Sequence, residues 1–426
     1  MSYDDRGLPL TITGPADNTS FSYNRDGKLA SRTDVAGRTS YTYDNVGRLR
    51  TASNPTTSIN VTLAYNKLSQ PATITYGTNN NVRTLTYDDL HRLKTDTLKN
   101  AAGTVTLGSI TYGYDANGNE TSKVTTGFAG SASNTYTYDL ADRLTSWSNG
   151  TTSTTYAYDA SGNRTQNGSK TFTYDARNQL LTQNDGSSYL YTARGTLKRT
   201  MSGSAAYDTL TDAFGQVRSQ QAAGGVTTSY DYDALGRAIK PGFTYTGLGN
   251  HRASDGTATY TRGPAGELFG VGSGAGAGSR YAWTDQHWDV VGQFSATGTA
   301  LSGSTTYDPL GSVLTTSGMV GHLGYQSEWT DGLTVRDGET GKTTVLKTTQ
   351  HHPFWDATDG RWVDAGKLAV GHRLRVHDDK RLEGDGTGAG MGGGGPGHQL
   401  TVVEVRNYTG DKRMHDLTVA DIHTYY

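Results

Sequence analysis

The sequence predicts an all-β protein whose main part is one long antiparallel sheet of hairpins. A tyrosine-led motif recurs along residues 1–331, and aromatic and β-branched residues alternate before most copies. No window of about 11 to 18 residues places apolar side chains at the period of a helix. We therefore expect hairpin repeats over residues 1–331 and a smaller β-rich unit over residues 332–426.

Composition and charge exclude several classes of function. Hydrophobic residues are only 33% of the 426, which argues against one large core, but 27 Tyr argue against disorder. Lys and Arg total 38 against 40 Asp and Glu, so we expect no nucleic-acid partner. The absence of Cys excludes disulfides and a thiol nucleophile. Because no signal peptide or apolar run of about 20 residues is recognisable, we expect no membrane span.

The repeat is clearest in three copies near the start of the chain. They are Tyr3-Asp4-Asp5-Arg6-Gly7-Leu8, Tyr23-Asn24-Arg25-Asp26-Gly27-Lys28-Leu29 and Tyr43-Asp44-Asn45-Val46-Gly47-Arg48-Leu49. Looser copies begin at Tyr65, Tyr87, Tyr114, Tyr138, Tyr158, Tyr174, Tyr191, Tyr232 and Tyr307. The spacing of the copies drifts, which suits hairpins better than the rungs of a rigid solenoid.

Each copy predicts a strand followed by a tight turn. Thr39-Ser40-Tyr41-Thr42-Tyr43 places aromatic rings at a period of two, and the Asp-x-x-Gly after such a strand supplies an Asx-type turn. We interpret the tyrosines as cross-strand packing residues. The alternative is that exposed Tyr and Trp side chains form a sugar-stacking surface, and the sequence does not separate the two.

These residues resemble the YD repeats of the RHS family, whose members wind a spiralling β-sheet into a hollow shell around a C-terminal effector. Asp308-Pro309-Leu310-Gly311 and Gly318 are similar to the opening of the family's core region, at 308–318. In relatives this end of the shell carries an aspartate autoprotease, and Asp331 lies near the position of the family's aspartate. The later part of that core, with its second DPxG-like site, is missing from this sequence.

After Asp331 the composition changes, because seven of the 11 His fall in the last 76 residues. Three segments predict strands, and a Gly-rich loop over residues 384–397 separates the first from the other two. The strand segments are Thr343 to Thr349, Gln399 to Val405 and Met414 to Val419.

This second unit resembles the Hint domains of hedgehog proteins and inteins, in the form that precedes the toxin of bacterial polymorphic toxins. Thr349-Gln350-His351-His352-Pro353 matches the first block, and Met414 to Tyr426 matches the later block. The resemblance implies that Thr349 and His352 act on the scissile amide, and that Asp416 and His423 tune the nucleophile and assist release.

We expect this Hint copy to be inactive. It lacks the Cys that would attack the preceding carbonyl, and the chain stops at Tyr426, before the final strand and its terminal His-Asn. A zinc site at His351 and His352 is not expected, because adjacent residues on a strand point to opposite faces. We expect neither a metal nor a cofactor.

The sequence therefore predicts the structural shell and processing remnant of a secreted or cell-surface polymorphic toxin. A toxin effector or an immunity protein would be the partner in a full-length relative. Two other functions stay open: a carbohydrate-binding or adhesive cell-surface protein, and an active self-cleaving protein.

Overall fold

The computed structural model of the protein describes residues 1–327, except residues 79, 204, 226 and 274–276, and eight short strands within residues 332–424. Apart from a 3-10 turn at Tyr325–Ser327, these described residues form strands and the turns between them. The prediction of an all-β protein is confirmed.

The first part of the chain forms a 23-stranded antiparallel sheet and one additional hairpin, β24–β25. The strands are β1 (Ser2–Tyr3), β2 (Pro9–Gly14), β3 (Asp17–Tyr23), β4 (Leu29–Asp34), β5 (Gly37–Tyr43), β6 (Leu49–Asn54), β7 (Ile59–Tyr65), β8 (Pro71–Tyr76), β9 (Val82–Tyr87), β10 (Leu93–Lys99), β11 (Thr106–Tyr114), β12 (Glu120–Thr126), β13 (Ser133–Tyr138), β14 (Leu144–Ser148), β15 (Ser153–Tyr158), β16 (Arg164–Asn167), β17 (Lys170–Tyr174), β18 (Leu180–Gln183), β19 (Ser188–Tyr191), β20 (Leu197–Ser202), β21 (Ala205–Thr211), β22 (Val217–Ala222), β23 (Thr227–Ser229), β24 (Asp231–Tyr232) and β25 (Ala238–Ile239).

Each strand of this sheet pairs with its neighbours in sequence, as expected for a ladder of hairpins. In one representative pair, Tyr41 lies opposite Ala52 and Thr42 opposite Thr51, after which a β-bulge shifts Tyr43 to lie opposite Leu49. The same bulge recurs at most of the repeat tyrosines, just before the turn. The sheet has two rims, and we call the one formed by these turns the tyrosine rim and the other the opposite rim.

A second antiparallel sheet comes next in the chain and packs against the first. Its strands are β26 (Phe243–Tyr245), β27 (Arg252–Asp255), β28 (Ala258–Arg262), β29 (Leu268–Ser273), β30 (Ala277–Thr284), β31 (Val290–Phe294), β32 (Gly303–Tyr307) and β33 (Val313–Ser317). The main hydrophobic core lies between the two sheets, with Ile59, Leu98 and Ile110 on one side and Trp283 and Phe294 on the other.

The second sheet also contacts the opposite rim of the first. The Tyr245 amide donates to the Ala16 carbonyl oxygen at 3.3 Å, and the Asn81 amide donates to the Ala296 carbonyl oxygen at 3.0 Å. Because the chain returns to its own beginning at this point, we call β1–β25 the first winding and β26–β33 the second winding. No strand ladder closes the first winding within the described residues, since β1 and β23 pair only with their sequence neighbours.

Two small sheets lie beyond the second winding. Six strands pair in the order β35-β34-β39-β38-β36-β37, and the remaining two strands, β40 and β41, pair with each other. Their bounds are β34 (Gly332–Asp337), β35 (Thr343–Leu346), β36 (Pro353–Asp356), β37 (Arg361–Asp364), β38 (Arg373–Arg375), β39 (Gln399–Arg406), β40 (Leu417–Val419) and β41 (Ile422–Thr424). Strands β35, β39 and β40 lie within or largely within the three predicted strand segments.

Candidate functional site

The turn after each repeat tyrosine is built around its aspartate. In the turn at Asp139, the carboxylate accepts hydrogen bonds from the Ala141 amide at 2.9 Å and the Arg143 amide at 3.0 Å. The Arg143 guanidinium and amide hold the pKa of Asp139 below its ordinary value. The fourth turn residue has a positive φ, which is 88° at Gly47 and 57° at Asp142, so glycine suits this position best.

The arginine of one turn also contacts the next repeat. Arg143 lies over the ring of Tyr158 with its guanidinium carbon 4.7 Å from the ring centroid, and it donates to the Asp159 carbonyl oxygen at 3.3 Å. Arg48 and Arg92 make the same ring contact with Tyr65 and Tyr114, each at 4.5 Å. Each turn is thus joined to its neighbour along the tyrosine rim.

The tyrosine hydroxyls explain why the repeat uses tyrosine rather than phenylalanine. In nine copies of the repeat, the hydroxyl donates to the carbonyl oxygen of the first residue in the second strand of the preceding hairpin, at 2.7–2.9 Å. The pairs include Tyr23 with Pro9, Tyr43 with Leu29, Tyr65 with Leu49, Tyr87 with Pro71, Tyr114 with Leu93, Tyr138 with Glu120, Tyr158 with Leu144, Tyr174 with Arg164 and Tyr232 with Val217. The tyrosines therefore bond neighbouring hairpins as well as packing between strands.

A buried ion pair lies where the first winding meets its own beginning. Arg237, on the last repeat turn, is only 2% exposed and donates to the Asp17 carboxylate of β3 at 3.0 Å, 220 residues away in sequence. It also pairs with Asp233 of its own turn at 2.6 Å and lies 4.6 Å from the Tyr245 ring centroid. Burial raises the pKa of Asp17, and the hydrogen bonds from Thr19 and Arg237 oppose that rise. We call this group the seam.

Further buried charges join the two windings. Arg83 of β9 pairs with Asp96 of β10 through Nε at 2.7 Å, and it also donates to the Thr284 carbonyl oxygen of the second winding at 2.7 Å. The Trp283 indole donates to the same Asp96 carboxylate at 2.8 Å. Lys123 pairs with the fully buried side chain of Asp285. Because a buried charge is costly without its partner, these pairs fix the position of the second winding on the first.

Two carboxyl groups near Asp285, the half-buried Glu120 and the buried Asp289, have raised pKa values. Burial raises the pKa of Glu120 to about 7, although Lys123 opposes the shift. Burial and the charge of Asp285 also raise the pKa of Asp289, which accepts from His287 at 3.0 Å and raises the pKa of that ring. The cluster lies beneath the 3-10 turn Tyr325–Ser327, where the Gln326 amide donates to Asp289 at 2.8 Å.

These contacts join the hairpins of both windings into one continuous β-structure. Comparison of the sequence with known families identifies this architecture. The model of the Teneurin YD-shell family matches residues 1–98 and 83–366 of this chain. The chain belongs to the Teneurin YD-shell family.

Two solved structures share this fold. The structure named "TcdB2-TccC3-TEV" is 15% identical to this YD-shell chain with a TM-score of 0.51. The matched part is 85% of this chain and 22% of the solved chain. A structure of the Photorhabdus luminescens Tc holotoxin pore is 16% identical with a TM-score of 0.50. The matched part is 82% of this chain and 20% of the solved chain. This chain thus spans about a fifth of the length of these two solved chains. No curated protein matches the chain significantly.

The predicted Hint-type residues lie mostly outside the described part of this YD-shell protein. Asp331, Thr349, His352 and Asp416 are outside the described residues, as is the predicted loop at 384–397. His423 lies on β41, where its backbone is opposite Thr418.

Within the described residues, no cluster of His, Asp or Glu is suited to hold a metal ion. In the same part of the chain, we find no helix with the length and hydropathy needed to cross a bilayer.

Sequence reasoning missed the buried ion pairs. A signal for them exists in the strand pattern, because Arg83 in Val82–Tyr87 occupies the same face as Leu85 and Tyr87, where an apolar residue is expected. A charged residue at an inward position needs a buried partner, and its partner on the same sheet is Asp96.

A buried group of His322, Asp255 and Tyr260 joins the end of the second winding to its early strands. His322 Nδ1 lies 3.0 Å from the Asp255 carboxylate, and the Tyr260 hydroxyl donates to the same carboxylate. Burial opposes ionisation here, but His322 and Tyr260 hold the pKa of Asp255 below its ordinary value. The Tyr260 side chain is fully buried, and the Asp255 and His322 side chains are nearly so, so the group anchors the segment around His322 to β27 and β28.

Proposed function

We propose that this chain is the structural shell of a secreted or cell-surface toxin-like protein, whose wall encloses or presents the segment after residue 331. The observation that carries the proposal is the return of the second winding onto the first, through the buried contacts at Asp17, Asp96 and Asp285. A long hairpin sheet that folds back onto its own beginning supports a wall built by winding. The toxin structures of similar fold support this function by analogy.

The partner that fits this function is a toxin component. The solved structures of similar fold are named as a complex of TcdB2 with TccC3 and as a holotoxin pore. We propose that a full-length relative of this chain holds a toxin effector inside the shell, with an immunity protein as the partner outside it.

Protection of an attached peptide tests the enclosing role. A flexible peptide with several trypsin sites is fused after Tyr426 in one variant and before Met1 in another. If the wall encloses the segment attached to its C-terminal end, trypsin cuts the peptide after Tyr426 more slowly than the same peptide before Met1. Equal cutting rates for the two fusions would contradict the enclosing role.

We also propose that residues 332–426 are a partial Hint domain without activity. The support is the pair of motifs at Thr349 and His352 and at Asp416 and His423, together with the absence of Cys. Asp331 is the candidate residue for the aspartate autoprotease that relatives carry at the end of the shell. Intact mass spectrometry after long incubation tests this proposal: one unchanged mass supports inactivity, and a cleavage product that disappears in His352→Ala or Asp331→Asn assigns the active route.

A further inference from the structure

After β33 the chain lies across earlier strands of the second winding as a segment, residues 318–327, that we call the strap. The Val320 amide donates to the Gln293 side chain of β31 at 2.8 Å. The His322 amide donates to the Tyr260 hydroxyl of β28 at 3.0 Å. These bonds fasten the first half of the strap to the sheet.

The strap ends in the 3-10 turn Tyr325–Ser327, which we call the latch. The Gln326 amide donates to the Asp289 carboxylate at 2.8 Å, and the Ser327 hydroxyl donates to the Trp288 carbonyl oxygen at 2.7 Å. Both partners belong to the turn between β30 and β31, so the latch rests on that turn.

The backbone of the latch is strained. Gln326 and Ser327 have φ angles of 52° and 56°, and Trp288 in the turn beneath them has a φ of 68°. A residue with a Cβ is disfavoured in this left-handed region, so the surrounding contacts must hold it there. When those contacts weaken, the backbone relaxes and the latch opens.

Charged groups face the latch from the turn and from the first winding. Asp285 and Asp289 of the turn are buried, and Glu120 of β12 accepts a hydrogen bond from the Gln286 side chain. The ammonium of Lys123, also on β12, faces all three carboxyl groups. Because three acids face one ammonium in a buried place, their full ionisation is costly.

The other titratable groups around this cluster are a histidine, a further aspartate and several tyrosines. His287 lies with Nδ1 3.0 Å from Asp289 and Nε2 3.2 Å from the Gln326 side-chain nitrogen, and Asp308 faces Tyr325. Burial raises the pKa of each tyrosine, so these rings stay neutral near pH 7. They are Tyr112, Tyr114, Tyr136, Tyr138, Tyr307 and Tyr325.

The closed latch favours protonated forms of this cluster. Burial and the charge of Asp285 raise the pKa of Asp289, and burial raises the pKa of Glu120 to about 7. The hydrogen bond to Asp289 raises the pKa of His287. A group with a raised pKa stabilises the closed form fully below its ordinary pKa and loses that contribution as pH rises through the raised one. All three groups therefore weaken the closed latch as pH rises.

We propose that the latch is a pH-sensitive switch, which is closed in mildly acidic solution and opens above neutral pH while the first half of the strap stays bound. The first half behaves differently because the pKa of Asp255, which His322 and Tyr260 bind, is held below its ordinary value. That carboxylate stays ionised between pH 6 and 8. The switch goes beyond the proposed function, since it needs neither an effector nor a closed shell.

Hydrogen exchange of the full chain, read by mass spectrometry, tests the switch. Protection factors are corrected for the intrinsic exchange rate at each pH, and overlapping peptides separate the two halves of the strap. From pH 6 to pH 8 we expect the protection of the latch amides to fall about tenfold, which corresponds to one unit of linked pKa shift. The amides of Val320 and His322 should keep their protection.

Two variants assign the effect to the cluster. In Glu120→Gln/Asp289→Asn both side chains keep an acceptor oxygen and neither ionises, so the latch should stay protected at both pH values. Asp44→Asn removes a carboxylate from a repeat turn outside the cluster and should keep the wild-type fall. Circular dichroism establishes that each variant is folded. If the double variant does not fold, Glu120→Gln alone should show a smaller fall than wild type.

Three results would overturn the switch. They are equal protection of the wild-type latch at pH 6 and 8, a full fall that persists in the variants of the cluster, and an equal fall in the first half of the strap. The last result would mean that the whole end of the second winding loosens. Because the measurement concerns residues 318–327 alone, its failure would leave the enclosing role intact.

Discussion

Strands β5–β12 and strands β14–β22 are built from the same repeat, yet they lie in different surroundings. In the first region, which the second winding covers, Ile59, Val61, Leu98 and Ile110 are at most 2% exposed and belong to the main core. In the second region, Phe172, Leu180 and Tyr189 form a small cluster of their own. The comparison teaches that the second sheet enlarges the core, since the first region belongs to a core shared by both sheets and the second region buries a small cluster within its own hairpins.

What the two regions share is the chemistry of the turn and the tyrosine. The Tyr43 hydroxyl in the covered region and the Tyr174 hydroxyl in the uncovered region donate to backbone carbonyl oxygens at the same 2.8 Å. We therefore expect the covered region to have the higher local stability, because it adds inter-winding burial and ion pairs to bonds that both regions contain.

The largest effect is expected for Trp283→Ala. The Trp283 ring is fully buried, packs 4.9 Å from Phe128 and donates to Asp96, so its removal leaves a cavity and takes one hydrogen bond from the Asp96 carboxylate, which Arg83 still binds. We expect a loss of about 3–5 kcal/mol in the free energy of unfolding, measured by urea denaturation. Trp288→Ala is the matched control, since that ring is 50% exposed and should cost below about 1 kcal/mol. Equal losses would mean that the second winding does not cover the first.

A somewhat smaller effect is expected at the seam. Arg237→Met removes the buried partner of Asp17 and Asp233, and we expect a loss of about 3 kcal/mol in the free energy of unfolding. The control is Arg218→Met, because Arg218 pairs with Asp231 while their side chains are 41% and 73% exposed. That pair should contribute less than about 1 kcal/mol. An Arg237→Met variant as stable as Arg218→Met would show that the seam does not hold the winding together.

The pH dependence separates Glu120 from the turn aspartates. Because the pKa of Glu120 is raised to about 7, its contribution is full below the ordinary value of 4.5 and is lost as pH rises through 7. We expect Glu120→Gln to be more stable than wild type above pH 7, by about 1–2 kcal/mol, and to match wild type at low pH. The pKa of Asp139 is lowered, so its contribution is full above the ordinary value of 3.8 and is lost as pH falls through the lowered pKa. We therefore expect Asp139→Asn to be less stable than wild type at neutral pH and to approach wild type only below 3.8. Thermal unfolding between about pH 2 and 8 measures both variants, and no gain in Glu120→Gln would contradict the assignment.

The smallest effect is expected for removal of a single tyrosine hydroxyl. Tyr43→Phe and Tyr174→Phe each lose one hydrogen bond to a backbone carbonyl, and each should cost about 1 kcal/mol or less. The two losses should be similar, because the bond belongs to the repeat and not to the second winding. Chemical denaturation measures both variants. If Tyr43→Phe lowered the free energy of unfolding several times more than Tyr174→Phe, the two regions would differ in the repeat itself and not only in the second winding.

The sequence allowed the repeat to be predicted because its signals are local. The Asp-x-x-Gly turns, the alternating tyrosines and the lack of a helical period depend on residues within one hairpin. The contacts that join the windings could not be predicted from the sequence, because Arg237 and Asp17 are 220 residues apart and no local pattern pairs them. The carbonyl partner of each tyrosine was also hidden, since its distance along the chain varies from 10 residues at Tyr174 to 21 at Tyr114. The Hint-type roles of Thr349, His352, Asp416 and His423 stay predictions.

A cross-link between the windings tests the central claim most directly. The hydroxyl oxygens of Thr57 in the first winding and Thr261 in the second are 2.8 Å apart, although 204 residues separate them in sequence. The chain has no Cys, so Thr57→Cys/Thr261→Cys introduces the only thiols. We predict that mild oxidation forms an intramolecular disulfide between them, identified by peptide mass, and that Thr57→Cys/Thr228→Cys forms none. Failure of the first pair to cross-link, or equal yields for both pairs, would contradict the stacking of the second winding on the first.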